Sequence, residues 1–134
     1  MGTQACKAVV EKYPTLKEQS VFAGFIKDVL AVNELCDIYI NPKRNGGGTS
    51  VIEAMVKGLP PVALNEGDVS LGAGEDFCLQ DYSEMVQRAL RLKDDEEYYR
   101  AMSQKARERA AVMLDGASAF WETFQRIEKL PDFQ

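Results

Sequence analysis

The hydrophobic positions along the chain fall into short apolar runs separated by stretches with helical spacing. Apolar residues three or four positions apart predict a first helix over residues 4–13, which Pro14 ends. Helices are also predicted at 29–36, with Asp28 as N-cap, and at about 50–57, closed by Gly58. The short apolar runs predict four strands: VFAGF at 21–25, DIYI at 37–40, PVAL at 61–64 and DFCL at 76–79.

The last third of the chain has helical spacing throughout. Residues 82–92 predict one helix, and Asp94-Asp95 open a second whose apolar stripe runs from Tyr99 to Met113. The basic residues on the rest of this second helix indicate a solvated face. A final helix over 117–130 carries an apolar stripe that most simply packs in a core: Phe120, Trp121, Phe124 and Ile127.

Short apolar strands that alternate with helices predict a fold class. They indicate a Rossmann-like α/β domain whose parallel sheet is flanked by helices, followed by a helical C-terminal tail. With 134 residues there is room for a single domain, and we assign it residues 1–134. Ligands of such sheets bind outside the carboxyl ends of the strands.

Composition excludes several classes of function. The net charge of −5 argues against a nucleic-acid partner, since phosphate binding needs a basic face. No apolar run approaches the roughly 20 residues that a membrane span needs. Cys6, Cys36 and Cys78 are predicted to be buried, reduced thiols of a cytoplasmic protein. The chain has no His, which excludes Ser–His–Asp and Cys–His catalysis within it and gives no support to a metal site.

The most specific chemistry lies in residues 41–63, NPKRNGGGTSVIEAMVKGLPPVA. Gly46, Gly47 and Gly48 allow a ligand to approach the main chain closely, and a positive φ costs them little. Thr49 and Ser50 are predicted to start the next helix, whose first N–H groups lack an internal partner and carry partial positive charge. These N–H groups, with the two hydroxyls, form a predicted anion site suited to a diphosphate.

Glu53 lies in an otherwise apolar helical stretch, VIEAMV, and two interpretations of it remain open. Ser50-x-x-Glu53 matches a capping box, in which the carboxylate would bind the Ser50 N–H. Alternatively, the carboxylate accepts hydrogen bonds from the paired hydroxyls of a ribose beside the phosphate site. The spacing fits both equally well.

The segment resembles the donor-binding motif of GT-B-fold glycosyltransferases, in particular the group 1 or family 4 enzymes. That motif runs Pro-Ser-x-x-Glu-Gly-Phe-Gly, four further residues, Glu-Ala-Met-Ala, and then Gly-x-Pro-Val-Val-Ala. This chain has NPKRNGGG at 41–48, EAMV at 53–56 and GLPPVA at 58–63. The family's second glutamate falls on Glu53, and its first falls on Asn45, where this chain departs from the pattern.

The resemblance implies a function and a set of site residues. The chain would be the donor-binding half of a retaining, metal-independent hexosyltransferase that uses a nucleotide-sugar, most simply a UDP-sugar, as substrate and needs no further cofactor. Glu53 would bind the ribose and Asn45 the sugar, while Gly24, Phe25 and Ile26 would meet the base. The family's N-terminal acceptor domain and its Arg–Lys diphosphate clamp have no counterpart here. The chain alone is therefore expected to be inactive.

Three alternatives remain open. A nucleotide-sugar epimerase of the UDP-N-acetylglucosamine 2-epimerase type also joins a glycine-rich loop to a helix with a glutamate, but it needs His in its cleft. A non-catalytic interaction module could bind a partner, or a second copy of itself, through the helical tail. Finally, the glycine turn could be only a tight connection between strand and helix.

Overall fold

The computed structural model describes residues 2–43 and 45–129, which form three short strands and eight helices. The strands are β1 (Tyr39–Asn41), β2 (Pro61–Leu64) and β3 (Cys78–Leu79). They pair in parallel in the order β1-β2-β3, with Ile40 beside Val62 and Leu64 beside Leu79. The helices are α1 (Gly2–Glu11), α2 (Pro14–Gln19), α3 (Val29–Asn33), α4 (Gly48–Val56), α5 (Gly67–Ala73), α6 (Tyr82–Asp94), α7 (Glu96–Leu114) and α8 (Gly116–Glu128).

The fold class predicted from the sequence is confirmed. Each strand is followed by a helix, the strands are all parallel, and helices flank the sheet, as in a Rossmann-like α/β domain. The central strand β2 is buried at all four positions, which explains why its sequence is a continuous apolar run. Its strand bounds match the prediction for PVAL. Because parallel strands share a direction, α4, α5 and α6 all begin at the same edge of the sheet, beyond the carboxyl ends of the strands.

The core joins the sheet to α4 and α7. Val51 and Met55 of α4 are fully buried, and so are Ala106 and, nearly, Met102 on the predicted stripe of α7. Phe77, in a 3-10 turn just before β3, is the largest of the fully buried side chains. The burial of these side chains fixes α4 against the sheet, so the position of the first turn of α4 is set by the core.

The carboxyl end of α4 shows how the basic residues of α7 are used. Gly58, at φ +80°, ends the helix in a Schellman motif, with its N–H bonded to Met55 O and the N–H of Leu59 to Ala54 O. Arg107 donates to the carbonyls of Val56 and Lys57, where a cation is favourable. In the same way Arg109 donates to two carbonyls near the end of α5. These two arginines therefore stabilise helix ends, while Arg100, Lys105 and Arg107 are exposed, as the predicted solvated face requires.

The predicted strand at 21–25 is wrong. Residues 20–28 are irregular, and the Phe25 side chain is 94% exposed. An apolar run becomes a strand only where a neighbouring strand can pair with it, and the three paired strands lie elsewhere in the chain. The fourth predicted strand is shortened for a related reason, because Glu75–Phe77 form a 3-10 turn and only Cys78–Leu79 pair with β2.

The prediction that the three thiols are buried is also wrong. Cys6 and Cys36 are exposed, and Cys78 is half-buried. Cys6 lies on α1, which packs against α2 and has no buried residue among positions 4–11, so its apolar side chains are not covered by the core. Cys36 follows α3, and its thiol donates to Val32 O. All three cysteines are free thiols.

The exposures of the thiols predict two rates of chemical modification. Ellman's reagent should modify Cys6 and Cys36 in a fast phase and Cys78 about tenfold or more slowly, because the thiolate is the reactive form. Burial raises the pKa of the Cys78 thiol, although nearby Arg109 opposes this shift. A Cys78→Ala variant should lose only the slow phase. Three equal rates in the native protein would contradict this arrangement.

Helix α8 tests only in part the prediction that its apolar stripe packs in a core. The Phe120 side chain is 70% exposed and Ile127 is half-buried, so core packing does not account for Phe120. The side chains of Trp121 and Phe124, and residue 130, lie outside the described residues. A dimer through this stripe therefore stays a prediction. Across the residues that the structure describes, every helix is too short or too polar to traverse a bilayer.

Candidate functional site

The glycine segment lies between the end of β1 and the start of α4, at the edge where the parallel strands end. The helix begins at Gly48, two residues earlier than predicted, and its N-cap is Gly47 at φ +114°. This left-handed conformation strains any residue with a Cβ, which explains the glycine at position 47. The turn therefore places main-chain atoms, rather than side chains, at the mouth of the site.

The first turn of α4 has no side-chain cap. Four other helices, α3, α6, α7 and α8, each begin with an aspartate whose carboxylate accepts an N–H of the first turn: Asp28, Asp81, Asp95 and Asp115. An acidic cap is thus present at these four helix starts and absent at α4, as it also is at α2 and α5. The N–H groups of Gly48, Thr49 and Ser50 have no carbonyl four residues back within the helix, so they remain available to an anion.

The carbonyl of Gly47 is held from two directions. It accepts a hydrogen bond from the N–H of Val51 at 3.0 Å and another from the hydroxyl of Ser50 at 3.1 Å. Both donors are in α4, so the Gly47 carbonyl points along the helix. This orientation turns the N–H groups of the next residues away from the helix body. The predicted helix start at Thr49 and Ser50 is wrong by one or two residues, and the Ser50 hydroxyl donates to Gly47 O.

Glu53 is half-buried in the second turn of α4. The capping-box interpretation is wrong, because Gly47 is the N-cap and no carboxylate caps this helix. Helical side chains lean towards the N-terminus, so Glu53 lies over the turn formed by Thr49 and Ser50. Among the described residues its carboxylate has no hydrogen-bond or ion-pair partner, although the neighbouring positions Val51, Ala54 and Met55 are buried. A half-buried carboxylate without a partner is a natural acceptor for ligand hydroxyls.

Two contacts connect the loops at this edge of the sheet. The N–H of Lys43, after β1, donates to the Tyr82 hydroxyl at the start of α6, with 3.4 Å between N and O. The Lys43 ammonium lies 3.5 Å from the Glu66 carboxylate, after β2. Both partners of this ion pair are more than half exposed, so it contributes little stability. These contacts nevertheless gather the three loops around the glycine turn.

Close packing between α4 and α5 explains two further glycines. A Cβ on Gly48 would lie 3.2 Å from the Cβ of Asp68, and a Cβ on Gly72 would lie 2.7 Å from a methyl carbon of Val51. The second distance is shorter than real carbon contacts allow. Glycine at these positions lets α5 pack closely along the first part of α4, which fixes the backbone beside the site.

The other predicted site residues lie in the glycine turn before α4 or in a separate segment of the sequence. Asn45 is exposed at the rim of the glycine turn, and Gly46 is half-buried beside it. Gly24, Phe25 and Ile26 lie in the irregular segment between α2 and α3, where only Ile26 is half-buried. A role for these three residues in base binding stays a prediction, and so does contact between Asn45 and a sugar.

Sequence reasoning missed two polar residues behind the glycine turn. They are Tyr39 and Asn41 on β1: the Tyr39 hydroxyl lies 2.7 Å from the Ser50 hydroxyl and accepts from the Asn41 amide at 3.2 Å. Both residues belong to the three-residue strand β1, with Ile40 between them. A polar residue at the last position of this strand was the available signal.

Comparison with known proteins assigns the family. The sequence model of the family described as Glycosyl transferases group 1 matches residues 1–95, a range that includes the whole sheet, the glycine turn and Glu53. Searches of curated proteins and of solved structures found no significant match. The family match covers well over half of the 134 residues, and it agrees with the α/β fold and with the motif in residues 41–63. The chain belongs to the group 1 glycosyltransferases.

Proposed function

We propose that the glycine turn and the first turn of α4 bind the diphosphate of a nucleotide-sugar donor, and that Glu53 binds its ribose. The observation that carries this proposal is the start of α4, which Gly47 at φ +114° leaves without a side-chain cap at the edge where the parallel strands end. A diphosphate supplies the acceptors that these N–H groups lack, and the positive end of the helix dipole favours its charge.

The same N–H groups would act in sugar transfer. The bond between the anomeric carbon and the diphosphate oxygen breaks with its electron pair going to that oxygen. A new bond then forms to an acceptor hydroxyl, which gives its proton to the departing diphosphate. Donors fixed before the reaction stabilise the negative charge that develops on the leaving group. This role needs no metal ion, and we propose retention at the anomeric carbon from the resemblance of residues 41–63 to the family motif.

Asn45 and the segment 24–26 complete the proposed site at its two ends. Asn45, exposed at the rim of the turn, would donate or accept a hydrogen bond with a sugar hydroxyl. Gly24, Phe25 and Ile26 would meet the base, with UDP as the most suitable nucleotide. The half-buried Glu53 would bind the ribose that joins the base to the diphosphate. We propose that the 134-residue chain binds the donor but transfers no sugar alone.

The proposal is tested by calorimetric titration of the 134-residue chain with UDP, GDP and ADP, with uridine as the control without phosphate. One nucleoside diphosphate should bind and raise the midpoint of thermal unfolding, since a ligand specific for the folded state adds about 2.7 kcal/mol of stability at 100 times its Kd. The same titration in EDTA should give the same Kd. No binding of any of the three diphosphates at several millimolar would overturn the proposal.

A further inference from the structure

A chain of hydrogen bonds connects strand β1 to the glycine turn. Its members are Asn41 and Tyr39 on β1, and Ser50 and Gly47 at the start of α4. It connects a strand of the core to the residue at φ +114° that shapes the turn. None of these side chains is needed to contact the donor in the proposed function. The presence of this hydrogen-bond series therefore needs a separate explanation.

The direction of the hydrogen bonds follows from the donors available. The Ser50 hydroxyl donates its single proton to Gly47 O, so the Tyr39 hydroxyl, 2.7 Å away, must donate to Ser50. With its own proton used, the Tyr39 oxygen accepts from the amide of Asn41 at 3.2 Å. Each hydroxyl therefore donates once and accepts once, and the chain ends on the Gly47 carbonyl. A chain oriented in one direction is mutually polarised, which strengthens its members.

Asn41 provides a second, independent observation. Its side chain is only 1% exposed, yet its Oδ1 atom has no hydrogen-bond partner among the residues that the structure describes. An unsatisfied buried acceptor is destabilising, by about 1–3 kcal/mol in typical cases. Asn41 therefore does not serve stability through its oxygen. Among the described residues, the one hydrogen bond of its side chain is the donation to the Tyr39 hydroxyl, at the beginning of the series of hydrogen bonds that ends on Gly47 O.

We propose that Tyr39 and Asn41 are positioning residues for the diphosphate site, acting through Ser50 on the carbonyl of Gly47. With this series of hydrogen bonds intact, the Gly47 carbonyl is held towards α4, and the N–H groups of the first turn face outwards. Without it, the Ser50 hydroxyl is free to rotate, and the turn loses one of the two donors that fix it. This inference rests on the proposed function, because it concerns affinity for the same diphosphate.

Tyr39→Phe tests the inference with the smallest possible change, the loss of one hydroxyl. The Kd of the 134-residue chain for UDP and for uridine is measured by calorimetry, alongside thermal unfolding. Tyr39→Phe should weaken UDP binding about tenfold, which corresponds to about 1.4 kcal/mol, and leave the affinity for uridine within about twofold. Asn41→Leu should have a similar effect on UDP. Its unfolding midpoint should change little, because the unsatisfied oxygen is removed with the donor.

Three comparisons distinguish positioning from general loosening. Tyr99→Phe is the matched control, because its hydroxyl donates to Asp37 O at 2.9 Å, away from the site, and its loss should leave the Kd for UDP unchanged. The double variant Tyr39→Phe/Asn41→Leu should bind UDP no more weakly than either single variant, since both act through one route. Ser50→Thr, which keeps the hydroxyl, should bind UDP better than Ser50→Ala.

The outcomes separate failure of this inference from failure of the proposed function. If the native chain binds none of the three nucleoside diphosphates, both fail. If the native chain binds UDP and Tyr39→Phe binds it equally well, the positioning role is wrong and the donor site stands. Equal losses for UDP and uridine would assign Tyr39 to general stability and would also overturn the inference. Tyr39→Phe decides the question alone if Asn41→Leu does not fold.

Discussion

Replacing Glu53 by glutamine is expected to weaken UDP binding about a hundredfold, which corresponds to about 2.7 kcal/mol, while leaving the fold intact. The carboxylate is half-buried, it leans towards the glycine turn, and among the described residues it has no hydrogen-bond partner of its own. In the proposed site it accepts hydrogen bonds from both ribose hydroxyls, and hydrogen bonds to a charged group contribute about 1.5–3 kcal/mol each. Glutamine has the same shape but only one acceptor oxygen and no charge.

In contrast to the large effect on UDP binding, the expected effect of Glu53→Gln on stability is small. Because Glu53 makes no contact of this kind within the described protein, Glu53→Gln should change the free energy of unfolding by less than about 0.5 kcal/mol. Calorimetric titration with UDP and urea unfolding, followed by circular dichroism, measure the two effects separately. Glu122, an exposed glutamate on α8, provides the matched control. Glu122→Gln should change neither the affinity for UDP nor the free energy of unfolding. Unchanged UDP affinity in Glu53→Gln would remove the ribose role of this residue.

The parts of the fold that sequence reasoning predicted are those whose causes are local. PVAL at 61–64 matched β2 because a strand buried on both faces needs an uninterrupted apolar run. Asp95 was predicted to open α7, and its carboxylate does accept an N–H of the first turn. In each case the residues that determine the element are adjacent in sequence, so their pattern alone was sufficient.

The parts that sequence reasoning missed depend on distant residues. The start of α4 was placed at Thr49 and Ser50, which favour N-caps, but the Ser50 hydroxyl is bonded to Gly47 and contacts Tyr39, eleven positions away. Helix α5, with the sequence GDVSLGA, is rich in glycine and was not predicted. It forms because Gly72 allows it to pack closely on α4, and helix propensity gives no indication of such packing.

The candidate site also has parts that the local sequence predicts and parts that depend on distant residues. The glycine run, Glu53 and the helix that carries it were identified from their order in the chain, which reflects the local sequence of strand, turn and helix. The capping-box alternative failed because the N-cap lies three residues earlier than assumed. Tyr39 and Asn41 were overlooked because their importance depends on a hydrogen-bond direction, which only the three-dimensional arrangement reveals.

Replacing Gly72 by alanine is expected to destabilise the protein by about 2–3 kcal/mol, the upper part of the range for overpacking a core. In an ordinary helix the same change stabilises, by roughly 0.5–1 kcal/mol. Here the new Cβ would lie 2.7 Å from a methyl carbon of Val51, which is fully buried, and 3.1 Å from the carbonyl oxygen of Gly48. Neither neighbour can move away without shifting α4. Because Gly48 begins that helix, the shift should also weaken UDP binding.

A double-mutant cycle assigns the loss to this one contact. Val51→Ala removes the methyl carbon that meets the new Cβ, so the combined variant Gly72→Ala/Val51→Ala should lose less free energy of unfolding than the sum of the two single changes. Gly116→Ala is the matched control: a Cβ there has open space, so urea unfolding should show no loss. Stability of Gly72→Ala equal to the native protein, or strict additivity in the cycle, would contradict close packing of α5 on α4. The proposed diphosphate site requires that packing, since it holds Gly48 where the glycine turn meets the helix.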